Sequence, residues 1–276
     1  SDEAARSGKR SLKLTYDYAN GGYGYRAYVK TYYGPEDFND SRYDPSFSPL
    51  LYPGQSVECH VLLPDDKPGK VLARMYVKDR NGAGGIYGDK VELQTGEWTK
   101  VAFDIPAMRG VCLEEAGIEL IPVEEGRRHG QLPSLIVYID DFDFRGKPDY
   151  VVDFARERLE QWTGIHVEVS QLTYLRGYWT LEDGELSGSY CGDVAEAYTG
   201  DLKWNDYRYE VELIPQSGGD HRINFRVQGA IRSYAVGLAE GDRLVLYKNE
   251  NGYRELGSAG FKWQNGASYR LTVEAT

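Results

Sequence analysis

The sequence is poor in the residues that form disulfides and bind metals. Its 276 residues include only three cysteines and four histidines. Cys59, Cys112 and Cys191 form no C-x-x-C pair, and the histidines stand singly, without the spacing of zinc ligands. These absences exclude a disulfide scaffold and the common zinc sites. Because the number of cysteines is odd, we expect free cysteines that are buried as small hydrophobic residues. Free cysteines weakly favour a reducing, cytoplasmic compartment, and the location is otherwise open.

Long apolar runs and an excess of basic residues are also missing. No stretch approaches the ~18 apolar residues of a membrane-spanning helix, and the polar opening SDEAARSGKRS lacks the apolar centre of a signal peptide. The chain has 32 basic and 43 acidic residues, so its net charge of −11 repels nucleic acid and anionic lipid. We therefore expect a chain that binds neither nucleic acid nor membrane. We also expect it to be a monomer.

The signature motifs of common enzyme classes are absent as well. There is no G-x-S-x-G elbow, Walker loop, H-E-x-x-H or G-x-G-x-x-G. The nearest approach to paired glycosidase carboxylates is EVE, in which Glu210 and Glu212 share one face of a predicted strand. A solvated strand face explains these two acids more simply. The prediction is a chain that is not itself an enzyme.

Two-residue alternation and tyrosine are what the sequence has in abundance. In SLKLTYDY, Leu12, Leu14 and Tyr16 alternate with polar residues, and the pattern recurs throughout between turn clusters such as NGG and RNGAGG. This period is that of half-buried strands. The 23 tyrosines suit a protein that binds sugars, although tyrosine also packs well in sheets. We predict an all-β fold of two tandem antiparallel jelly-roll β-sandwich domains.

The end of the first domain is marked by a slip in this alternation. In LIVYIDDFDF the pattern of Leu135, Val137 and Ile139 breaks at Asp140 and Asp141, where a β-bulge would absorb an extra residue.

The polar stretch RGKPDY follows, and we place the boundary there, which gives domains 1–148 and 149–276. The next stretch, VVDFARERLEQWTG, is the one candidate for a short helix, with apolar spacing that is only loosely helical.

A hairpin in the second domain, NFRVQGAIRSYAVGL, carries unusual polar residues. Asn224, Arg226 and Gln228 alternate with apolar residues, and Arg232 and Tyr234 follow on the returning strand. If the register turns all five to one side, that surface offers guanidinium forks, amides and a ring to a polar ligand.

Four further residues are candidates for the same pocket: Glu196, Tyr198, Asn249 and Tyr253. The alternative is that Arg226 and Arg232 only form surface ion pairs with acidic residues of neighbouring strands, such as Glu196, Glu210 or Glu212.

The first domain offers a second candidate surface. YRAYVKTYY places Arg26, Tyr28, Lys30 and Tyr32 on one face of a strand, and LARMYVKD places Arg74, Tyr76 and Lys78 likewise. If these strands are neighbours, their side chains form a surface resembling a sugar cleft. A solvated sheet face is the alternative.

Longer segments resemble known families. SGKRSLKL, LLYPGQSVECHVLLP, TGEWTKVAFDIP and LIVYIDDFDF resemble jelly-roll carbohydrate-binding modules of glycoside hydrolases, although the usual opening strand is missing, so the chain is expected to begin inside the module. GYWTLEDGELSGS, EAYTGDLKWNDYRYEVEL and the hairpin region are similar to concanavalin-like, laminin-G-like jelly rolls. Their order resembles the C-terminal accessory region of bacterial ADP-ribosylglycohydrolase-family proteins.

This resemblance implies non-catalytic modules that bind carbohydrate, or a glycosylated or ADP-ribosylated target, beside a catalytic domain outside this chain. The alternatives are a structural or protein-interaction platform and, third, a concanavalin-like glycoside hydrolase. In the modules that the first domain resembles, the first acid of a Y-I-D-D ending commonly helps to bind calcium. Asp140 matches that position, so the resemblance implies a structural Ca²⁺ there. A solvated bulge is the alternative.

Overall fold

The computed structural model describes residues 1–16, 25–32, 49–64, 69–80, 84–110, 112–123, 135–157, 160–162, 167–169, 173–190, 192, 194–201, 203–229 and 231–276. These residues form strands, turns and irregular segments, so the chain is all-β, as predicted. Within the described ranges, no helix has the length and apolarity required to cross a bilayer. The chain divides into two compact units, Ser1–Thr199 and Gly200–Thr276.

Two antiparallel sheets form the main body of the first unit. Their strands are β1 (Leu12–Tyr16), β2 (Tyr25–Lys30), β3 (Ser56–Leu62), β4 (Lys70–Asp79), β5 (Gly85–Tyr87), β6 (Val91–Glu92), β7 (Trp98–Asp104), β9 (Leu113–Val123) and β10 (Leu135–Arg145), with the short β8 (Met108–Gly110) between β7 and β9. One sheet has the order β1-β10-β3-β7, and the other has the order β2-β9-β4-β5, with β6 also paired to β4. Apart from β4, β5 and β6, which lie in one sheet, successive strands of these two sheets alternate between them, and the strand order is that of a jelly roll.

The core of this sandwich lies between the two sheets and follows the predicted alternation. Val57, Cys59 and Val61 of β3 are fully buried, and they share one cluster with Ala73 and Met75 of β4. Period-two burial on both sheets is what a two-layer β-sandwich requires.

The described cysteines are part of the buried interior. Cys59 and Cys112 are both free and buried, as predicted. Burial raises the pKa of the Cys59 thiol to about 12 and raises that of Cys112 as well, so both stay protonated at neutral pH. Cys191 lies outside the described residues.

The predicted β-bulge in β10 is confirmed. The pairing of β10 with β3 shifts register between Asp140 and Asp143. Asp141 adopts a left-handed backbone with φ 51° and so takes up the extra residue.

The chain remains on the first sandwich beyond the predicted boundary at residue 148. Strand β11 (Tyr150–Val152) pairs in parallel with β8. The guanidinium of Arg156 then donates to the carbonyl of Arg109 at 3.0 Å, and the buried Glu157 carboxylate lies 3.7 Å from the guanidinium of Arg80. These contacts assign residues 150–157 to the first sandwich, and the two compact units divide at Thr199–Gly200 and not at residue 148.

The helix predicted within VVDFARERLEQWTG is wrong for the residues that the structure describes. They end β11, form a turn and begin β12 (Glu160–Trp162). The turn is closed by the backbone N–H groups of Arg156 and Glu157, which donate to the carbonyl of Asp153. Pairing with β8 holds the preceding residues extended, which outweighs the weak helical spacing.

Beyond β11, the described residues of the first unit form three two-stranded antiparallel sheets. Strand β12 pairs with β13 (Val167–Val169), β14 (Thr173–Arg176) with β17 (Glu196–Tyr198), and β15 (Tyr178–Glu182) with β16 (Glu185–Ser189).

The second unit contains two sheets around a smaller core. Strand β18 (Tyr207–Leu213) pairs with β23 (Tyr269–Ala275), while β19 (Asp220–Phe225), β20 (Arg232–Ala239), β21 (Arg243–Glu250) and β22 (Tyr253–Gly260) form a four-stranded antiparallel sheet in that order. Ile223 of β19 packs in one cluster with Leu271 and Val273 of β23. The two sheets therefore bury one face each against the other.

Candidate functional site

The register of the β19–β20 hairpin separates the polar residues that were predicted to share one surface. Tyr234 lies directly opposite Phe225, and their rings stack with centroids 5.7 Å apart. Asn224 is opposite Ala235, on the other face of the sheet. Because directly opposed residues of an antiparallel pair share a face, Tyr234 points away from the side of Asn224. The register condition for a single binding surface is not met, and that prediction is wrong.

Arg226 and Gln228 leave the strand instead of projecting from it. Arg226 has φ 50° and follows the last ladder residue, and its N–H donates to the Tyr207 hydroxyl at 2.7 Å. The Gln228 N–H donates to the carbonyl of Arg232 at 2.8 Å, and the Arg232 N–H donates to that of Gly229 at 3.2 Å. The guanidinium of Arg226 lies 4.0 Å from Asp206, an acidic neighbour that sequence reasoning did not name.

Asn224 instead lies with two other predicted residues, Asn249 and Tyr253, on the second face of the same sheet. The Tyr253 hydroxyl donates to Asn224 Oδ1 at 3.2 Å, and Asn249 Oδ1 accepts the N–H of Gly252 at 3.1 Å. Sequence reasoning missed Arg222, whose guanidinium lies 4.3 Å from the centre of the Tyr253 ring. Asn249 is 5% exposed and closes its own turn, which gives it a structural role.

The remaining predicted residues of this pocket belong to the first unit. Glu196 and Tyr198 are half-buried at the two ends of β17. Their proximity to the hairpin stays a prediction.

The acids of EVE lie on the exposed face of β18, as the simpler explanation predicted. Glu212 accepts a hydrogen bond from Ser268 at 2.6 Å, and Glu210 lies near the guanidiniums of Arg208 and Arg270. These contacts are those of solvated strand residues.

The residues around Asp140 do not fit a calcium ion. Asp140 Oδ2 accepts the N–H groups of Arg6 and Ser7 at 2.8 and 3.1 Å, and its Oδ1 accepts the N–H of Asp141 at 2.8 Å. The Asp141 carboxylate binds the Ser7 hydroxyl and the Arg6 guanidinium, and both contacts lower its pKa. Donor groups and a cationic side chain thus stand where Ca²⁺ would need oxygen ligands. Among the described residues, no group of three or more His, Cys, Asp or Glu is arranged to hold a metal.

The sheet β2-β9-β4-β5 carries the most developed arrangement of polar and aromatic side chains. The two strands singled out from sequence, β2 and β4, are not neighbours as that prediction required, because β9 lies between them. Tyr32 follows the end of β2 and is buried, so it is not part of the exposed surface. The outward residues form three cross-strand rows, in the orders Arg26-Glu119-Arg74, Tyr28-Gly117-Tyr76-Tyr87 and Lys30-Glu115-Lys78. We call these ten residues the Arg–Tyr–Lys face. Its central acids and glycine were missed from sequence, although the alternation of EEAGIEL places Glu115, Gly117 and Glu119 on one face of their strand.

In the first row, one carboxylate holds two guanidiniums. Glu119 Oε1 accepts from Arg26 Nε and Nη2 at 2.9 and 2.6 Å, and Oε2 accepts from Arg74 Nε at 2.6 Å. Burial alone would raise the pKa of Glu119, but the hydrogen bonds from both arginines outweigh it and lower that pKa. The carboxylate is therefore ionised at neutral pH and fixes both guanidiniums in place.

The second row supplies the rings. A Cβ at Gly117 would lie 2.5 Å from the carbonyl oxygen of Ala27 and 2.8 Å from both Tyr28 Cβ and Tyr76 Cε1, so only glycine fits between the two tyrosines. The Tyr76 ring is buried, and burial raises its pKa to about 12. Tyr28 is 55% exposed, so its ring remains available for contact with a ligand.

Tyr87 joins the first two rows. The guanidinium of Arg74 lies 3.9 Å from the centre of the Tyr87 ring, and Arg26 Nη2 donates to the Tyr87 hydroxyl at 2.9 Å. Cation–π contact and hydrogen bonding thus restrict both arginines further.

The third row repeats the pattern of a carboxylate between two basic side chains. Lys78 Nζ lies 2.9 Å from Glu115 Oε2, and Lys30 is opposite Glu115 on the other side. The Tyr28 ring therefore has guanidiniums on one side along the strands and ammonium groups on the other. Such a face can stack a flat apolar surface on the ring and donate hydrogen bonds around it.

Comparison with known proteins adds little to this geometry. No family model and no curated protein matches the chain. One solved chain, from work on the promiscuous specificity of carbohydrate-binding modules of the β-sandwich superfamily, is 16% identical with a TM-score of 0.33. The match covers 53% of this chain and 51% of that one. At this level of similarity, the case for a ligand depends on the side chains themselves.

Proposed function

We propose that this chain is a non-catalytic carbohydrate-binding protein and that the Arg–Tyr–Lys face holds the sugar. The observation that carries the proposal is the exposed Tyr28 ring between two sets of restrained cationic donors on a sheet. Sugars present an apolar ring face and a rim of hydroxyls. An aromatic ring bordered by hydrogen-bond donors complements both.

The face is preorganised, which favours binding. Glu119 and the Tyr87 ring already hold Arg26 and Arg74, so a ligand does not have to immobilise them. Immobilising a long side chain on binding costs about 0.5–1.5 kcal/mol of binding free energy. We expect modest affinity because only one ring, Tyr28, is exposed for stacking on this face.

We further propose that the chain serves as an accessory region of a larger glycohydrolase-type protein. Support comes from the jelly-roll strand order of the first unit together with the sequence resemblance to modules of glycoside hydrolases. Association with an ADP-ribosylglycohydrolase-like domain, and a glycosylated or ADP-ribosylated target, belong to the same proposal.

A glycan array followed by calorimetry on the full chain tests the binding proposal. We expect Tyr28→Ala to weaken any glycan signal about fivefold or more, as loss of one stacking contact of about 1–3 kcal/mol would. The matched control is Tyr178→Ala, because Tyr178 is a 72% exposed tyrosine on β15. A silent array, or equal losses in both variants, would count against the proposal and favour a protein-interaction platform.

A further inference from the structure

The charges of the Arg–Tyr–Lys face are opposite in sign to those of the whole protein. Four cationic side chains accompany two carboxylates on this face, which leaves two positive charges in a chain of net charge −11. At the end of the sheet, the next pair, Lys70 and Glu92, neutralises itself through an ion pair. Among the residues described here, the rows around Tyr28 therefore carry a positive excess that the Lys70–Glu92 pair does not.

The exposed charge is more positive than this count suggests. The side chains of Arg26, Lys78 and Arg74 are 41%, 32% and 24% exposed, whereas those of Glu119 and Glu115 are 11% and 15% exposed. The carboxylates lie beneath the cations and orient them. A ligand above the sheet therefore meets guanidinium and ammonium groups first.

The spacing of the cations defines where anionic groups would bind. Arg26 and Lys30 lie four residues apart on β2, and Arg74 and Lys78 lie four residues apart on β4. Four residues of a strand span about 13 Å. The two basic rows thus lie on opposite sides of the tyrosine row, and a chain along the strands that stacks on Tyr28 would reach both.

We infer that the Arg–Tyr–Lys face selects an acidic oligosaccharide, with carboxylate or sulfate groups on the sugars that flank the one stacked on Tyr28. This inference rests on the proposed sugar binding and adds the charge of the ligand. Guanidinium and ammonium groups bind carboxylates and sulfates through charge-assisted hydrogen bonds, which neutral hydroxyls form more weakly.

Calorimetry with matched ligands tests this selectivity in the full chain. The carboxylate arm compares galacturonic acid oligomers with their methyl esters, and the sulfate arm compares dextran sulfate fragments with plain dextran oligomers. We expect the acidic member of at least one pair to bind about tenfold more tightly in dilute buffer. That preference should shrink at about 0.5 M salt, because screening shortens the reach of exposed charges.

A lysine variant separates charge from stacking. We expect Lys78→Gln to weaken binding of the acidic ligand about two- to fivefold more than it weakens binding of the neutral ligand, because only the acidic ligand loses an ion pair. Lys262→Gln makes the same charge change at an exposed position of the second unit and should alter neither. Melting curves confirm that both variants are folded.

The outcomes distinguish the two proposals. Equal binding of acidic and neutral forms, abolished by Tyr28→Ala, would overturn the acidic selectivity and leave sugar binding in place. A neutral glycan that binds while no acidic one does would overturn it equally. Tighter binding of ADP-ribose than of any oligosaccharide would also overturn it, and no binding of any glycan would overturn both proposals.

Discussion

Replacement of Glu119 by glutamine removes the charge that orders the first row of the Arg–Tyr–Lys face and preserves the shape of the side chain. Two guanidiniums then lose their shared carboxylate. Loss of one partner from a fully buried ion pair costs about 3–5 kcal/mol. Here the arginines keep 41% and 24% of their side-chain exposure, so water replaces part of what they lose. We expect the free energy of unfolding to fall by about 1–3 kcal/mol at pH 7.

The pH dependence of this loss identifies its cause. Hydrogen bonds from Arg26 and Arg74 lower the pKa of Glu119 in the folded protein against the opposing effect of burial, whereas an unfolded glutamate titrates near about 4.3. A lowered folded pKa contributes stability that is complete above the unfolded value and is lost as the pH falls through the folded value. Glutamine does not titrate. The gap between wild type and variant should therefore be largest near pH 7 and narrow below about pH 4.

Urea unfolding of both proteins at several pH values between about 3 and 7 measures that gap, from midpoints at constant m-value. Glu274→Gln is the matched control, because Glu274 is 68% exposed and pairs only with the exposed Arg208 among the contacts described. It should change stability by less than about 0.5 kcal/mol. A Glu119→Gln gap that stays constant down to pH 3 would assign the loss to packing and refute the electrostatic reasoning.

Three further predictions follow from the same structure. Gly117→Ala should lower stability by about 1–3 kcal/mol and weaken ligand binding, because the new Cβ would lie 2.5 Å from a backbone oxygen. The control is Gly257→Ala, whose new Cβ has no other atom within 4 Å. Equal melting temperatures for the two variants would contradict the prediction. Glu157→Gln should lower stability by about 3–5 kcal/mol in urea unfolding, because it removes a buried carboxylate that lies 3.7 Å from the buried guanidinium of Arg80. A loss below about 1 kcal/mol would show that this ion pair does not stabilise the first unit. Neither calcium nor EDTA should change the melting temperature, because the Asp140 carboxylate already accepts hydrogen bonds from backbone N–H groups. A rise in melting temperature with calcium would support a calcium site after all.

Much of the fold could be predicted because alternation is a local property of the chain. Val57, Cys59 and Val61 alternate with polar residues in the sequence and face the core in the structure. The slip at Asp140 and Asp141 likewise predicts the bulge from the sequence alone. In both cases the backbone places successive side chains on opposite faces, so sequence spacing alone assigns each residue to a face.

The candidate sites could not be predicted in the same way, because the sequence of one strand does not determine its register with the neighbouring strand. A shift of one residue would have moved Tyr234 to the side of Asn224, and the observed register instead places it against Phe225. The boundary at residue 148 missed the β8–β11 pairing for a similar reason, since that contact joins segments about forty residues apart.

By itself, the sequence determined the all-β class, the buried cysteines, the bulge and the basic and tyrosine residues that lie outward on β2 and β4. Only the tertiary structure decided that β9 lies between those strands, and so brings Glu119, Gly117 and Glu115 into line with them. The physical reason is that a side chain's face depends on its own strand, whereas its neighbours depend on strand order and register. Those are decided by how two whole sheets pack around one core.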